Sequence, residues 1–356
     1  VTDAILRRLR PEQVREITLL IVIALVLLFF ATQVPGFISG RTFTRVSTTI
    51  PIVVVVGVGM TLVVLTRNID LSVGAIVGVV AYGVGTILAR DPGMSPLLVI
   101  AICIAIGAVL GVVNGLLVAF GGVPSIVATL GTMAVYRSLL VTVSDSSPVT
   151  TAALPPWMGS LNGANLLSVE DLDIRVLPLA AVVVVIVFQL VLRYAAYGRR
   201  LFAVGSNPDA ARFAGLPVRR DVFTAFVLCG ALAGLGGFMY IGRFGTVVPQ
   251  AAGGLELEVV AAVVVGGVNI FGGSGSMVGV MLGAIVVVTL DQGLIRWAAI
   301  SEFLRDALLG LLILLAVASD KLILERLRTI WARARRPDEG PPGDLRAPAS
   351  GSGDAR

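Results

Sequence analysis

Histidine is absent from the 356 residues, lysine occurs once, at Lys321, and cysteine occurs twice. Each scarcity removes a class of chemistry. Without imidazole there is no histidine acid–base catalysis, no histidine proton relay and no histidine-ligated metal. Cys103 and Cys229 lie far apart within apolar runs, which suits packing better than a zinc site or a disulfide framework. A phosphate-binding loop of the G-x-x-x-x-G-K-[ST] type needs its lysine followed by a hydroxyl residue, and Lys321 is followed by Leu322. The chain is therefore not expected to hydrolyse nucleotide or to bind a cofactor. If its work is ATP-driven, ATP and Mg belong to another polypeptide. Charge is thin as well, at 14% of residues against 56% hydrophobic, which directs attention to the apolar runs.

Ile17–Thr32, Val46–Thr66, Leu97–Phe120, Val176–Leu192 and Val222–Ile241 each approach the ~20 residues that cross ~30 Å of hydrocarbon as an α-helix. A transmembrane barrel is excluded because the runs are continuous rather than alternating. Further spans at Ser72–Ala89, Ser125–Val143, Leu257–Phe271, Met277–Leu294 and Phe303–Ala318 bring the expectation to about ten crossings. The fold class is all-α, a polytopic transmembrane bundle. Leu257–Phe271 is short for a span unless Gly253–Glu256 enters the membrane.

Arginines set the orientation. They flank the first run (Arg7, Arg8, Arg10, Arg15), fill the gap 193–221 (Arg199, Arg200, Arg212, Arg219, Arg220) and follow the last run (Arg326, Arg328, Arg333, Arg335, Arg336). The positive-inside rule puts all three segments in the cytoplasm, as ten crossings require. The expected organisation is a cytoplasmic segment 1–16, a membrane domain 17–320 with a cytoplasmic loop 193–221, and a basic juxtamembrane segment and tail, 321–356. The first run is followed by Gln33-Val34-Pro35-Gly36-Phe37 rather than a cleavage site, so it is expected to remain. The tail from Pro337 is rich in Pro, Gly, Ser and charge and reads as disordered. Lipid is the expected surrounding, and nothing points to nucleic acid.

Val63–Val79 can be laid without gaps on Val264–Val280, pairing Asn68 with Asn269 and Gly74 with Gly275. Both runs are helix–turn–helix connections on one side, so the repeat would be parallel. Their polar turns must face protein or water, not lipid. Glycines one turn apart, at Gly74/Gly78, Gly107/Gly111/Gly115, Gly230/Gly234 and Gly275/Gly279/Gly283, allow close helix approach, either within one subunit or at a dimer seam.

Candidate path or gate residues are the polar groups inside or beside the spans: Asn68, Asp70, Asn114, Thr129, Thr132, Arg137, Asn269, Asp291 and Gln292, because a buried polar group in lipid needs a partner or water. Thr129 and Thr132 either offer hydroxyls to a solute or bond their own backbone carbonyls. Asp70 either holds its turn by accepting N–H bonds or pairs with Arg67. Glu256 and Glu258 lie where a span begins on the outer side and suit a mouth or a simple interfacial position. In the basic loop, Ser206 or Asn207 can cap a helix, Pro208 suits its first position, Asp209 its positive end and Gly215 its stop.

Four ordered motifs, Gly59–Gly74, Val123–Met133, Gly205–Gly215 and Val265–Gly275, resemble the membrane subunits of ribose-type ABC sugar importers, and the resemblance covers about Gly36 to Lys321. It implies an assembly of two permease subunits, identical or paralogous, two cytoplasmic ATPases and an extracytoplasmic sugar-binding protein, in the bacterial cytoplasmic membrane. It also implies that a short helix over Pro208–Ala214, with Asn207, Pro208, Asp209, Ala210, Ala211, Arg212 and Gly215, docks into the ATPase. Pentoses, rhamnose-like deoxyhexoses and the furanose-derived autoinducer are the implied substrates. Related branched-chain amino-acid permeases are the alternative. An autonomous secondary transporter or channel is disfavoured by the small number of intramembrane charges.

Overall fold

The computed structural model describes residues 11–298, apart from 146, 162, 170 and 171, together with six positions between 304 and 314. The apolar runs become helices α1 (Pro11–Gln33), α2 (Gly40–Leu65), α3 (Val73–Arg90), α4 (Pro96–Gly115, continued by a π-helical turn Leu116–Phe120) and α5 (Ser125–Ser144). A short α6 (Pro156–Leu161) and an antiparallel hairpin, β1 (Asn165–Val169) and β2 (Leu172–Arg175), follow. Then come α7 (Val176–Tyr194), α8 (Ala196–Ser206), α9 (Pro208–Phe213), α10 (Val218–Phe244), α11 (Leu255–Val265) and α12 (Met277–Ala298). Local chemistry sets the ends. Ser39 and Ser95 accept the Thr42 and Leu98 amides to start α2 and α4, and Gly245, at φ 66°, stops α10.

Among the described residues eight helices are long and apolar enough to cross a membrane. Their burial sorts them. α2 is 89% buried along its apolar window, and α3, α10 and α12 are 61–67% buried. These four form the centre, and α1, α4, α5 and α7, at 11–28%, turn apolar faces outward as lipid-facing helices do. The glycine pairs work within this one chain. A Cβ at Gly230 would come within 2.7 Å of the Gly111 Cα and overlap the Gly107 carbonyl, so α4 and α10 touch backbone to backbone. Gly279 and Gly283 bring α12 against Gly266 and Ala262 in the same way, the close approach that small residues permit.

Two expectations change. The run Leu257–Phe271 is not a full span: its helix α11 has 11 residues, about 16 Å at 1.5 Å per residue. Its start is tucked deep beside α3, because Gly74 leaves room for Glu256 and the Ala252 carbonyl, and Gly78 for the Ala251 carbonyl. The segment before Glu256 thus enters the bundle as irregular backbone packed against protein, the setting in which such backbone is tolerated within a membrane. Second, the basic gap 193–221 is largely helical, as α8 and α9. The connection between α5 and α7 carries the hairpin, at the end of α7 opposite α8. The expected span Phe303–Ala318 and the segments 1–10 and 321–356 lie outside the described residues.

The repeat is visible in the backbone, but in a different register. Arg67 and Gly267 both take positive φ (66° and 93°). Their N–H groups bond Val64 O and Val264 O, and the next N–H groups, of Asn68 and Val268, bond Val63 O and Val263 O. The helices that follow begin alike, with Ile76 N–H on Ser72 O and Val280 N–H on Ser276 O. The first match pairs residues 200 apart and the second residues 204 apart, so the later connection holds extra residues and the gapless pairing of Asn68 with Asn269 and Gly74 with Gly275 does not hold. α2 and α11 run to the same end of the bundle, where the Gly273 amide reaches Leu65 O at 3.2 Å.

Candidate coupling and translocation site

At that end α9 is closed by its own sequence. Asn207 Oδ1 accepts the Asp209 and Ala210 amides at 3.1 and 3.0 Å, and Pro208 occupies the first turn, where its missing N–H costs nothing. At the other terminus Leu216 N–H reaches Ala211 O and Gly215 N–H reaches Arg212 O, with Gly215 at φ 77°, a Schellman stop. The helix ends at Phe213, one residue before the expected Ala214. Ala211 is buried and seats the helix, whereas Phe213 is 93% exposed. Asp209 and Arg212 form an exposed ion pair at 3.3 Å, which adds little to stability.

The base of α9 is clamped from both repeat-related connections. Arg67 Nε donates to Gly205 O and Arg67 Nη2 to Ser206 O, both at 2.6 Å. The fork satisfies carbonyls that the last turn of α8 leaves free. Gly205 has no room for a Cβ, which would overlap Leu65 O and the Gly273 amide. Beneath, Arg200 grips Asp221 at the start of α10 through Nε and Nη2, with N–O distances of 3.0–3.1 Å. These hydrogen bonds hold the Arg200 guanidinium above its ordinary pKa. The second connection is fixed from elsewhere too: Arg15 Nη1 donates to Gly267 O at 2.6 Å, and Gln189 Oε1 on α7 accepts the Met277 amide at 2.8 Å, capping α12.

Behind Arg67 the first connection dives into a fully buried polar cluster. Asp70 does not pair with Arg67. It accepts Ser72 N–H at 3.0 Å and Ser72 Oγ–H at 2.6 Å, and Asn114 Nδ2 on α4 lies 3.3–3.4 Å from both its oxygens. Asn114 Nδ2 also donates to Ser72 Oγ (2.7 Å), and Thr132 Oγ1 on α5 donates to Asn114 Oδ1 (2.6 Å). Asp70, Ser72, Asn114 and Thr129 show no exposure. Thr129 bonds Ser125 O at 2.8 Å, one turn back, and Thr132 also reaches Thr129 O. The cluster therefore joins three helices through satisfied bonds and presents no free hydroxyl. Asn68 bonds Thr66, and Asn269 Oδ1 accepts the Phe271 amide; each holds its own turn.

Of the remaining candidates, Asp291, Gln292 and Glu258 lie toward the opposite end and do not meet this cluster, whereas Glu256 packs against Gly74, two residues from Ser72. Asp291, Gln292 and Glu258 line a cavity of about 550 Å³ between α2, α10, α12 and the segment before α11. Glu256 faces away from it, 3.5 Å from Arg137 Nη2, and Arg137 also holds the Ala251 and Ala252 carbonyls at 2.6 and 2.7 Å.

Residues 42–317 match the family described as branched-chain amino acid transport system / permease component. Relatives named autoinducer 2 import system permease protein LsrC come from Enterobacter sp. strain 638 (34% identical, covering 85% of this chain and 84% of the relative) and Yersinia enterocolitica (31%; 84% and 81%). Another is from Escherichia coli K12 (34%; 86% and 86%). The chain belongs to this permease family. No solved structure matches it. The permease is a multi-pass inner-membrane subunit of an ABC-type importer, a transport component and not itself an enzyme.

Sequence reasoning about this permease missed Phe213, the Arg67 fork, Ser72, Gln189 and the Arg200–Asp221 pair. Phe213 had a signal: it is the one large apolar side chain between the cap Asn207 and the stop Gly215. The partners of Arg67 lie 138 and 139 positions away and leave no local trace.

Proposed function

We propose that this permease translocates a monosaccharide handed to it by an extracytoplasmic binding protein, with ATP hydrolysed on separate subunits that dock at α9. The observation that carries the reading is α9 itself: six residues, capped at both ends, anchored by buried Ala211 and offering Phe213 almost wholly to solvent. An exposed phenylalanine on a rigid, tethered helix suits insertion into a partner's cleft, where aromatic anchors dominate binding. The arginine count of the loop supports a cytoplasmic position for this end, where ATPases reside. A second permease copy or a paralogue completes the translocation path in this reading.

The sugar assignment is supported by the names of the relatives, which import autoinducer 2, and by the scarcity of intramembrane charge that ion coupling would use. A branched-chain amino acid is the second reading, favoured by the description of the matching family. Affinity purification of the tagged permease from mild detergent, repeated on a loop swap of residues 208–214, tests the proposal. Recovery of an ATPase that the swap abolishes supports it. Folded permease that recovers no ATPase, even after crosslinking in membranes, counts against it. Sugar binding by the co-purified binding protein separates the two substrates.

A further inference from the structure

We propose that the cavity at the end of the bundle opposite α9 is a receiving site, on the permease itself, for a neutral polyhydroxylated molecule of monosaccharide size. The inference rests on the sugar-import reading and adds a site to it. The space, about 550 Å³, falls in the ~300–1,000 Å³ range of small-molecule sites. Its charged lining is balanced, Arg45 and Arg243 against Glu258 and Asp291. A ligand of net charge would be opposed by two of these groups, and a zwitterionic amino acid, though matched at its two charged ends, would leave the neutral polar side chains of the lining, Thr49, Gln250 and Gln292, without partners along its apolar part. A polyol meets neither obstacle, since every hydroxyl both donates and accepts and can answer guanidinium, carboxylate and amide in turn.

Two further features fit that ligand. The Arg243 Nε–H is buried and has no acceptor among the described residues, a position that costs free energy until an acceptor arrives. Tyr240 and Phe244, whose ring centroids are 4.5 Å apart, also line the cavity and give it an apolar wall for the C–H face of a sugar. Gln292 is held in place by donating to Asp291 Oδ2 at 3.2 Å. A second cavity, about 480 Å³, is lined mainly by Leu27, Phe37, Phe43 and Val46 with the hydroxyls of Ser39, Thr42 and Thr289, and has no charged side chain in its lining, so it suits an apolar ligand better than a sugar.

The test uses the full chain in lipid nanodiscs with D-ribose, L-rhamnose and L-leucine as probes, read by saturation-transfer NMR. Uptake by the assembled importer is measured in parallel. A sugar that receives saturation, with binding weakened about tenfold or more (1.4 kcal/mol) by Gln292→Ala and abolished by the cavity-filling Thr49→Trp, supports the site. Both variants are first checked for a native elution profile, and Gln292→Ala alone suffices if Thr49→Trp does not fold. Sugar binding unmoved by Gln292→Ala, or no saturation of either sugar, overturns it. Sugar uptake without saturation removes the cavity site and leaves the transport reading intact. Saturation and uptake of leucine alone overturn the sugar reading itself.

Discussion

Arg67 and Gly205, 138 positions apart, are joined by a 2.6 Å hydrogen bond from the Arg67 Nε to the Gly205 carbonyl. The same guanidinium reaches Ser206 O, immediately before the cap of α9, while three residues further along the chain Asp70 is locked to Asn114 and Ser72 inside the bundle. If ATPases dock at α9 as proposed, a displacement of that helix would act on this fork, and through it on a connection whose other end is pinned to α4 and α5. Arg67 holds this place at φ 66°, a conformation that costs a non-glycine residue roughly 1–2 kcal/mol. Local backbone preference alone would favour glycine here, as at Gly267 in the repeat.

Phe213→Asp should remove ATPase association while leaving thermal stability unchanged, because the ring contributes nothing to the core at 93% exposure. Co-purification yield and a melting curve in detergent check both halves. Ala211→Asp, at the buried face of the same helix, should lower the melting temperature as well.

Asn114→Leu should destabilise the permease by about 1–3 kcal/mol, the cost of leaving buried polar groups without partners. Asp70 loses a donor and Thr132 an acceptor. Asn114→Asp should be worse, since it sets a second carboxylate against Asp70. Thermal unfolding monitored by fluorescence orders the three proteins.

Gly230→Val should sharply lower the yield of folded protein, because even its Cβ meets Gly111 Cα at 2.7 Å and two further carbons follow, and overpacking costs about 1–3 kcal/mol, or more where neither backbone can retreat. Gly131→Ala, with nothing within 4 Å of the added carbon, should be silent. Expression and monodispersity on size exclusion report both. Equal tolerance at the two sites would mean that α4 and α10 do not meet as described.

Arg200→Asp sets a like charge beside Asp221, 2% exposed, and should lower stability by less than the roughly 3–5 kcal/mol for breaking a fully buried pair, because the Arg200 side chain is 33% exposed. The exchange Arg200→Asp with Asp221→Arg should recover part of that loss. A double-mutant cycle by thermal unfolding measures the coupling.

Much of this architecture is legible in sequence where the signal is local. Run length and continuity mark the spans, and Asn207, Pro208 and Gly215 delimit α9 within a residue because capping chemistry acts over three or four positions. Legibility ends where structure is non-local. α11 is read too long because the apolar run continues through Gly266 and Gly267, whose backbone turns to meet α12 and Arg15. The path candidates read as one set because depth in the membrane is visible in sequence while facing direction is not. The fold separates them into a satisfied structural cluster around Asp70 and a polar cavity around Asp291 and Gln292.

The most direct measurement is transport per ATP in proteoliposomes holding the whole importer, comparing Arg67→Lys and Arg67→Gly with the unaltered chain. Lysine keeps the charge without the fork, and glycine relieves the backbone at the same loss. Both variants should assemble and hydrolyse ATP while substrate moved per ATP falls about tenfold, as expected if roughly 1.4 kcal/mol of coupling is lost. Unchanged transport per ATP in both variants would contradict the account, showing that α9 moves the membrane domain by another route.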